Sequence, residues 1–516
     1  MPSKMRSQSA SFAAPVGGWN ARDPEADMQA TDALVLDNVI PRNRYIELRP
    51  GFLNHTQFDP GAGPVGGGSV SFKTLIEYSK ADGTRKLIGC VSSFIFDLTT
   101  EDSPTALSGT TPTSDKWQHV TMNGVLILVN GSDVPQQYNG TTRSDLTITG
   151  SGLTSAFLVH VTNYKGRAYY VEKDTASIWY AAAGAHSGAT TELDLSSVFR
   201  DGGYIQLCVT WSRDDGSGMQ EFLVVISNTG EMLIYGGDDP GASNWTIVNR
   251  FYISEPLGRR AAYPLGSDII LLTQEGVIPI SSVVAAAGAE INYVKLTDKI
   301  DNAFNELTRD KVDTFGWQCV NYAKEQLLVI NAPIIEDKES VQLVMNTKTG
   351  AWCRFTNLNP SALVVFDGDL YFSGTSSDPN VYKYGNTRSD NGTRAIPFEI
   401  KTAYNYYGNM ANKKHFKLVR AHVRSNNTAV LTFGVDVDFE GKTITQTITP
   451  TYATTAEWDI AMWDTAEWAI SGTVQSEWRN VTGLGRAAAI IIKAEAAGAE
   501  FSISSFDMIY EEGSYL

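Results

Sequence analysis

The sequence predicts an all-β protein: a β-propeller of about seven blades, preceded by an N-terminal arm (1–60) and followed by a C-terminal antiparallel β-sandwich domain (393–516). Three observations predict this fold class. A strand-turn-strand unit recurs through residues 61–392, and apolar residues at helical spacing are nearly absent between residues 60 and 390. Six further strand-like segments follow the turn-rich stretch GNTRSDNGT.

The recurring unit is an apolar run of strand length, a turn containing Gly, Asn or Asp, and a second strand that often ends in an aromatic residue. Its seven copies begin at Lys86, Gly124, Gly166, Phe222, Asp268, Gln326 and Gly368. Successive starts lie 38 to 58 residues apart, which is the length of a four-stranded propeller blade with its loops. A large β-sandwich or a set of meanders has similar strand and turn signals and stays open as the alternative.

The N-terminal arm is predicted to contain one short helix and one strand. Thr31 is placed as the N-cap of a helix over residues 32–37, which Pro41 would end. A strand over residues 45–49 then leads to the first blade through the Gly-rich loop GAGPVGGGS at 61–69. The sequence therefore predicts an arm that enters the propeller and serves attachment.

The C-terminal unit combines strands with a tryptophan-rich loop. Its predicted strands lie near residues 396–406, 416–424, 429–439, 442–449, 486–495 and 500–510. Trp458, Trp463 and Trp468 are spaced by five, which fits neither one face of a strand nor one stripe of a helix. Such a loop either tucks its rings into the domain beneath it or presents them to another subunit, since Trp is enriched in interface hot spots.

Basic residues concentrate at the start of this unit. Residues 393–424 hold seven Lys or Arg and one acid, which gives a local net charge of +6 in an acidic chain. The first interpretation is an ordinary solvated or salt-bridged face, followed by contact with an acidic neighbouring subunit and then by contact with DNA phosphates. The candidates for a basic interface or DNA-facing surface are Lys413, Lys414, Lys417, Arg420 and Arg424.

Composition limits the classes of function. The net charge of −16, from 41 Lys and Arg against 57 Asp and Glu, disfavours a protein that wraps nucleic acid but allows a conduit that does not grip phosphates. Four widely spaced cysteines predict buried free thiols, and no secretory signal or membrane span is predicted.

Signatures of catalysis and metal binding are weak. The six histidines form no HExxH or HxH pair, and the chain contains no GxSxG, Walker loop or GxGxxG. Asp436, Asp438 and Glu440 alternate with apolar residues, so a strand would place them on one face, either solvated or holding a calcium ion. We expect the solvated face, and we predict no enzyme activity, no catalytic or metal site and no cofactor.

Both ends of the chain carry a resemblance. The segments GGWNARDP, ATDALVLDNVIP and YIELRPGF, together with AYNYYGNMANKKHFKLVRAH at 403–422 and FDMIYEEGSYL at 506–516, resemble the propeller-bearing tail hub or nozzle (tail tubular) proteins of short-tailed, podovirus-type bacteriophages. The resemblance covers roughly the first 50 and last 110 residues.

This resemblance implies a hexameric ring in the virion tail. The ring would sit below the portal and adaptor, hold tail fibres or tailspikes at its side and pass DNA through its centre after assembly in the host cytoplasm. The candidate assembly contacts are Trp19, Arg22, Trp458, Trp463 and Trp468.

Two other classes of function stay open. A carbohydrate-binding or glycan-cleaving propeller that acts on host surface polysaccharide predicts a central pocket lined by aromatic residues and paired acids. The stretch SRDDGSG at 212–218 has a faint similarity to the Asp-box of sialidase-like propellers. A cellular scaffold that binds other proteins is the third class.

Overall fold

The computed structural model describes residues 7–58, 70–214, 218–286, 293–426, 430–441, 446–448 and 473–513. Nearly all of the regular structure in these residues is β-strand, as the sequence predicts. The first six strands are β1 (Ser7–Ala13), β2 (Gly18–Trp19), β3 (Asp32–Asp37), β4 (Val39–Pro41), β5 (Ile46–Leu48) and β6 (Phe52–Thr56).

Seven small sheets follow along the chain. The first four sheets are β7–β10, β11–β14, β15–β19 and β20–β23. Their strands are β7 (Thr74–Ser79), β8 (Arg85–Val91), β9 (Phe94–Asp97), β10 (Thr105–Ala106), β11 (Gln118–Met122), β12 (Val125–Val129), β13 (Gln136–Tyr138), β14 (Arg143–Asp145), β15 (Ile148–Thr149), β16 (Leu158–Tyr164), β17 (Arg167–Glu172), β18 (Ser177–Ala181), β19 (Gly188–Asp194), β20 (Ile205–Asp214), β21 (Met219–Ser227), β22 (Glu231–Gly236) and β23 (Thr246–Tyr252).

The last three of these sheets are β24–β26, β27–β30 and β31–β33. Their strands are β24 (Ala262–Leu265), β25 (Asp268–Thr273), β26 (Gly276–Pro279), β27 (Gln318–Tyr322), β28 (Leu327–Ile335), β29 (Glu339–Asn346), β30 (Trp352–Phe355), β31 (Leu363–Phe366), β32 (Asp369–Ser373) and β33 (Val381–Tyr384). Two helices, α1 (Ile280–Ala285) and α2 (Asp301–Thr308), lie between β26 and β27, and three-residue 3₁₀ helices occur at Ser155–Phe157, Asp298–Ile300 and Ala323–Glu325.

These sheets form a closed ring. Neighbouring sheets contact each other along their innermost strands, which are β7, β11, β16, β20, β24, β27 and β31. The fourth and fifth sheets meet through β20 and β25. The last innermost strand, β31, contacts the first, β7, and this contact closes the ring. Tight turns such as Asn123-Gly124, whose φ angles are 52° and 73°, suit the hairpins because type I′ turns need left-handed backbone at both positions. The predicted β-propeller is confirmed by this radial arrangement.

The N-terminal strand β6 closes the ring. It pairs antiparallel with β33 as the outermost strand of the β31–β33 sheet, with Phe52 opposite Tyr384. The Phe52 ring packs edge-on against Phe372 and Tyr382, with ring centres 5.1 and 4.9 Å apart. The first and last parts of the propeller are therefore joined by hydrogen bonds and by aromatic packing.

The C-terminal strands form two sheets that face each other. They are β34 (Ile396–Thr402), β35 (Lys414–Ser425), β36 (Val430–Val437), β37 (Gln446–Ile448), β38 (Thr473–Gln475), β39 (Arg479–Gly485), β40 (Ala488–Ala496) and β41 (Phe501–Glu512). One sheet runs β38-β35-β41-β5-β4, with β1 on β41 and β39 on β35; the other runs β3-β34-β40-β36-β37 and continues from β30 of the propeller. Phe398 and Phe501 pack across the interior with ring centres 4.9 Å apart, so the predicted β-sandwich is confirmed.

The helix predicted over residues 32–37 is wrong, because this segment is strand β3. Ala33 and Leu36 are buried, and β3 pairs antiparallel with β34 and touches β30. A helix of six residues is marginal by itself, whereas β3 obtains backbone hydrogen bonds from a partner strand on one side and core contacts on its faces.

The arm is also not a separate structural unit, and its role in attachment stays a prediction. Strands β1, β4 and β5 belong to one sandwich sheet, β3 belongs to the other, and β6 belongs to the propeller. The predicted C-terminal strands otherwise lie close to the observed bounds. The Gly-rich loop at 61–69 lies outside the described residues. All four cysteines are free and buried, as predicted. No helix in the described residues is long and apolar enough to cross a membrane.

Candidate functional site: the joined chain ends and the central cavity

Trp19 packs inside the chain rather than at its surface. It lies on β2, which pairs with β3, and its side chain is only 7% exposed. The guanidinium of Arg354 lies over its ring at 5.4 Å from the ring centre and forms two 2.7 Å hydrogen bonds to Asp37. The ring therefore serves the junction of the arm with the propeller, and a role of Trp19 in assembly contacts stays a prediction.

Arg22 is partly exposed and is held by two carboxylates. Its Nε donates to Asp23 at 2.7 Å, and its Nη1 donates to Asp298 in the 3₁₀ helix before α2. The hydrogen bond to Asp23 is the main cause of a raised pKa for Arg22. Arg22 ties the arm to the segment before α2, and a role in subunit contacts stays a prediction.

A buried ion pair joins the arm, the propeller and the sandwich. The Arg49 side chain is 0% exposed and that of Asp390 is 1% exposed. The two Nη atoms of Arg49 donate to the two carboxylate oxygens of Asp390 at 2.8 Å each, and Nε donates to Asn38 Oδ1 at 2.8 Å. This bidentate geometry is the strong form of an arginine–carboxylate contact, and it lies directly before β6.

Two of the five residues of the predicted basic surface pair with acids, and a third, Lys414, is buried. Lys414 is buried and its ammonium donates to backbone carbonyls, among them Asn412 O at 3.2 Å and Arg486 O at 3.3 Å. Burial lowers the pKa of Lys414. Lys417 pairs with Glu511 at 2.6 Å. The buried ammonium of Lys414 is therefore unavailable to DNA phosphates, whereas Lys417 is 38% exposed beside its acidic partner.

Arg420 is committed to Asp507 on the neighbouring strand. Its Nε donates to Asp507 at 2.8 Å, and its guanidinium lies over the Trp478 ring at 4.4 Å from the centre. Lys413 and Arg424 are exposed at the two ends of β35, and Arg424 has interactions of its own. The salt-bridged face, the first interpretation of this stretch, describes Lys417 and Arg420 best.

Asp507 is the centre of a polar cluster that links β1, β35 and β41. His422 Nε2 lies 2.9 Å from its carboxylate, and Ser11 and Arg420 also hydrogen bond to it. Burial would raise the pKa of Asp507, but these three hydrogen bonds outweigh burial and lower it to about 2. The cluster connects the first strand of the chain with the last.

Two further predicted features have different outcomes. Trp458, Trp463 and Trp468 lie outside the described residues, so their role as assembly contacts stays a prediction.

The acids 436, 438 and 440 do not share a strand face, because β36 ends at Val437 and the next two residues have positive φ. Asp436 is buried and accepts from Lys401 at 2.8 Å and Tyr404 at 2.7 Å. Among the described residues no group of three or more His, Cys, Asp or Glu is arranged to hold a metal.

The propeller encloses a central cavity of about 670 Å³. All the innermost strands contribute to its lining, which is mainly aliphatic and polar. Arg260, in the segment before β24, crosses one end: its guanidinium donates to Lys73 O at 3.0 Å, Thr74 Oγ1 at 2.7 Å and Trp117 O at 2.9 Å. These acceptors belong to the first two sheets, so one side chain connects the fifth sheet with sheets on the other side of the ring. The Phe315 ring lies 4.8 Å from this guanidinium.

The cavity contains few of the groups that a glycan-cleaving site needs. Glu77 is the one carboxylate among the described lining residues, and Tyr263 is the one aromatic side chain. Glycosidases usually place two carboxylates across the scissile bond. The lining therefore differs from the aromatic pocket with paired acids that the carbohydrate alternative predicts.

Sequence reasoning missed the charged groups of this cavity. Arg259 and Arg260 stand in the segment EPLGRRAAY, and His119 and His160 stand on innermost strands. The sequence signal that could have identified them is a pair of adjacent arginines next to an apolar run, without an acid within three residues on either side.

No family model and no curated protein matches the chain. Among solved structures, the WD40 β-propeller domain of Doa1 is 8% identical with a TM-score of 0.38, and the match covers 65% of this chain and 97% of that domain. YCF48 bound to D1 peptide is 8% identical with a TM-score of 0.34 and covers 67% and 96%. An exo-β-1,3-galactanase from Phanerochaete chrysosporium is 9% identical with a TM-score of 0.24 and covers 76% and 95%. Similarities of this size carry no argument about function, and the propeller assignment rests on the closed ring of sheets.

Proposed function

We propose that this protein is a non-enzymatic structural component of a bacteriophage tail, a nozzle or hub that assembles as a closed homo-oligomeric ring, a hexamer by resemblance. The adaptor would bind above the ring, fibres or spikes would bind at its side, and DNA would pass through it. One observation supports this proposal most directly. The N- and C-terminal parts that carry the resemblance pair with each other: β1 and β5 pair with β41, and Ala403 N donates to Asp32 O at 3.1 Å.

This pairing matters because two segments that are far apart in the sequence but form one folded unit must have side chains that fit each other. The quoted motifs contain the residues of the junction: Asn38 and Arg49 from the first segments, Arg420 and His422 from the C-terminal one. The resemblance therefore corresponds to one built unit rather than to two scattered similarities.

Any DNA passage in this proposal lies between subunits and not along the propeller axis. The central cavity of about 670 Å³ has the volume of a small-ligand pocket, which is usually roughly 300–1,000 Å³, and not that of a duplex channel. Arg260 and Phe315 also cross one end of the cavity. With a net charge of −16 and several basic residues already paired, the passage surface would bind DNA weakly.

Light scattering on the size-exclusion peak, followed by negative-stain electron microscopy, tests the assembly. We expect a mass that is a multiple of 56.2 kDa and ring-shaped particles with a central opening. A protein that stays monomeric at all concentrations and also when mixed with the adaptor would contradict the proposal.

Substitution of the tryptophan-rich loop tests the predicted subunit contact. The triple variant Trp458→Ala, Trp463→Ala and Trp468→Ala should shift the equilibrium from rings to monomers. The matched control replaces Phe157 and Tyr252 by Ala, because these aromatic residues are 51% and 46% exposed on the propeller. Rings that form equally well from both variants would remove the loop from the assembly contacts.

Incubation with host polysaccharide separates the proposal from the carbohydrate alternative. A structural tail component leaves the polysaccharide chain length unchanged and shows no saturable binding as a monomer. Release of oligosaccharide would favour the alternative, and the variant Glu77→Gln would then show whether the single carboxylate of the cavity takes part.

A further inference from the structure

The central cavity concentrates positive charge at one end. Arg259 and Arg260 both line it, and His119 and His160 lie close enough to influence them electrostatically. Arg260 lowers the pKa of His119, and Arg259 and His119 lower that of His160, in addition to the effect of burial. These four groups therefore occupy one region of the cavity.

Neither arginine has a carboxylate partner among the described residues. Arg259 Nη1 donates to the backbone carbonyls of Ile205 at 3.3 Å and Gln206 at 2.9 Å, and Arg260 donates to two carbonyls and one hydroxyl. Carbonyl oxygens fix the direction of a guanidinium but do not neutralise its charge. Each guanidinium has five N–H donors, so the donors not used in these contacts remain for a ligand.

The surroundings make these charges costly without a counter-ion. Burial lowers the pKa of Arg260 to about 10 and also lowers that of Arg259. Glu77 is the one acid among the described lining residues, and nearby Asp115 raises the pKa of Arg260 by its charge without forming an ion pair with it among the described residues. Both arginines are half-buried, and a partly desolvated cation is stabilised when an anion with hydrogen-bond acceptors takes the place of the lost water.

The dimensions and donors of the site define the class of ligand. The cavity of about 670 Å³ has room for a small ion with several water molecules, but it is too small for duplex DNA. Guanidinium groups match tetrahedral oxyanions because two parallel N–H groups meet two oxygens. His160 is buried, which lowers its pKa to about 3, and its neutral ring keeps one N–H for a hydrogen bond.

We propose that the central cavity of the propeller is a binding site for a small tetrahedral oxyanion of the phosphate or sulfate class, held between Arg259 and Arg260. The bound anion neutralises the two guanidinium groups. Because Arg259 contacts the fourth sheet and Arg260 contacts the first two, the anion links opposite sides of the ring. Binding therefore stabilises the closed propeller.

Calorimetric titration and thermal unfolding of the full-length protein with inorganic phosphate test the site. Measurements at constant ionic strength, with chloride as the reference salt, separate specific binding from screening. We expect saturable binding at millimolar phosphate or below and a midpoint of unfolding that rises with phosphate concentration. Absence of a saturable response to both phosphate and sulfate would overturn the proposal.

Variants localise the response. Arg259→Gln should weaken phosphate binding about ten- to hundredfold, as expected when charged hydrogen bonds are removed. Arg259→Lys should recover only part of it, because lysine keeps the charge but not the paired donors. The matched control is Arg143→Gln, since Arg143 also donates to backbone carbonyls, at 3.2 and 3.1 Å, and lies away from the cavity. A phosphate response that persists in Arg259→Gln, or that disappears equally in Arg143→Gln, would contradict the assignment.

A heavier oxyanion gives a direct readout of position. Crystals soaked in tungstate should show an anomalous peak between the guanidinium groups of Arg259 and Arg260. An occupied tungstate site elsewhere with this position empty would overturn the proposal, even if the solution measurements show binding.

Discussion

Replacement of Arg49 by methionine should lower the free energy of unfolding by about 3–5 kcal/mol, the usual loss when one partner of a buried ion pair is removed. Methionine keeps most of the side-chain volume but donates no hydrogen bond. It would leave the Asp390 carboxylate, which is 1% exposed, without its two 2.8 Å donors. Asn38 Oδ1 and Pro50 O would lose a donor each, at 2.8 and 3.0 Å.

Urea unfolding followed by far-ultraviolet circular dichroism measures this loss. The control is Arg388→Met, because the Arg388–Glu500 pair has a similar short contact of 2.6 Å but is about half exposed. Removal of an exposed pair costs about 0–1 kcal/mol. The double variant Arg49→Met with Asp390→Leu should recover much of the lost stability, since it removes the unpaired charge as well.

Two results would refute the view that the buried, unpaired carboxylate causes the loss of stability. If Arg49→Met and Arg388→Met destabilise the protein equally, burial does not set the energy of the Arg49–Asp390 pair. If the double variant is less stable than Arg49→Met alone, the loss comes from packing around Arg49 rather than from an uncompensated carboxylate.

Three further predictions concern the joined ends and the ring closure. Asp507→Asn should lower the free energy of unfolding at pH 7 by roughly 2 kcal/mol, because the pKa of Asp507 is about 2 in the folded protein and therefore below its unfolded value. Asp507 stabilises the fold above its unfolded pKa and stops doing so as pH falls through the folded value. In acid titrations the variant should therefore lose less stability between pH 4 and pH 2 than the original protein. Gly51→Ala should lower the free energy of unfolding in urea by more than about 3 kcal/mol, because the added Cβ would lie 2.0 Å from the backbone oxygen of Ser389. The control Gly241→Ala should change it by no more than about 0.5 kcal/mol, because the atom closest to its Cβ lies 3.5 Å away. Deletion of residues 1–13 removes only β1 and should leave the near-ultraviolet signal of the propeller unchanged; loss of that signal would show that β1 is needed for the propeller as well.

The repeat predicted the propeller because it follows the middle strands of each sheet. Strands such as β12 and β21 are buried on both faces, so they stand out as continuous apolar runs. The innermost strands are less visible: β11 reads QHVTM because it borders the polar cavity. The outermost β23 reads TIVNRFY and is largely exposed. A search for apolar runs therefore finds the centre of each blade and misses its edges.

The roles of the chain ends could not be predicted because their partners are far away in sequence. DALVLD fits a helix as well as a strand, and its pairing with β34 decides the outcome. The basic stretch has a local charge of +6, but Glu511 and Asp507, which pair with Lys417 and Arg420, come much later in the chain. Local charge is a property of the sequence, whereas net charge at a surface depends on which strands become neighbours.

The closure of the ring by β6 explains why the ends of the chain are built together. Loss of β6 would expose the edge of β33 and open the propeller, because β6 is the outermost strand of that sheet. Here β6 is preceded by the buried Arg49, whose partner Asp390 leads into β34 of the sandwich. Opening the ring therefore requires breaking an ion pair inside the protein and disturbing the sandwich at the same time. The sandwich and the propeller therefore stabilise each other, and this mutual support is a property that the proposed tail component would need.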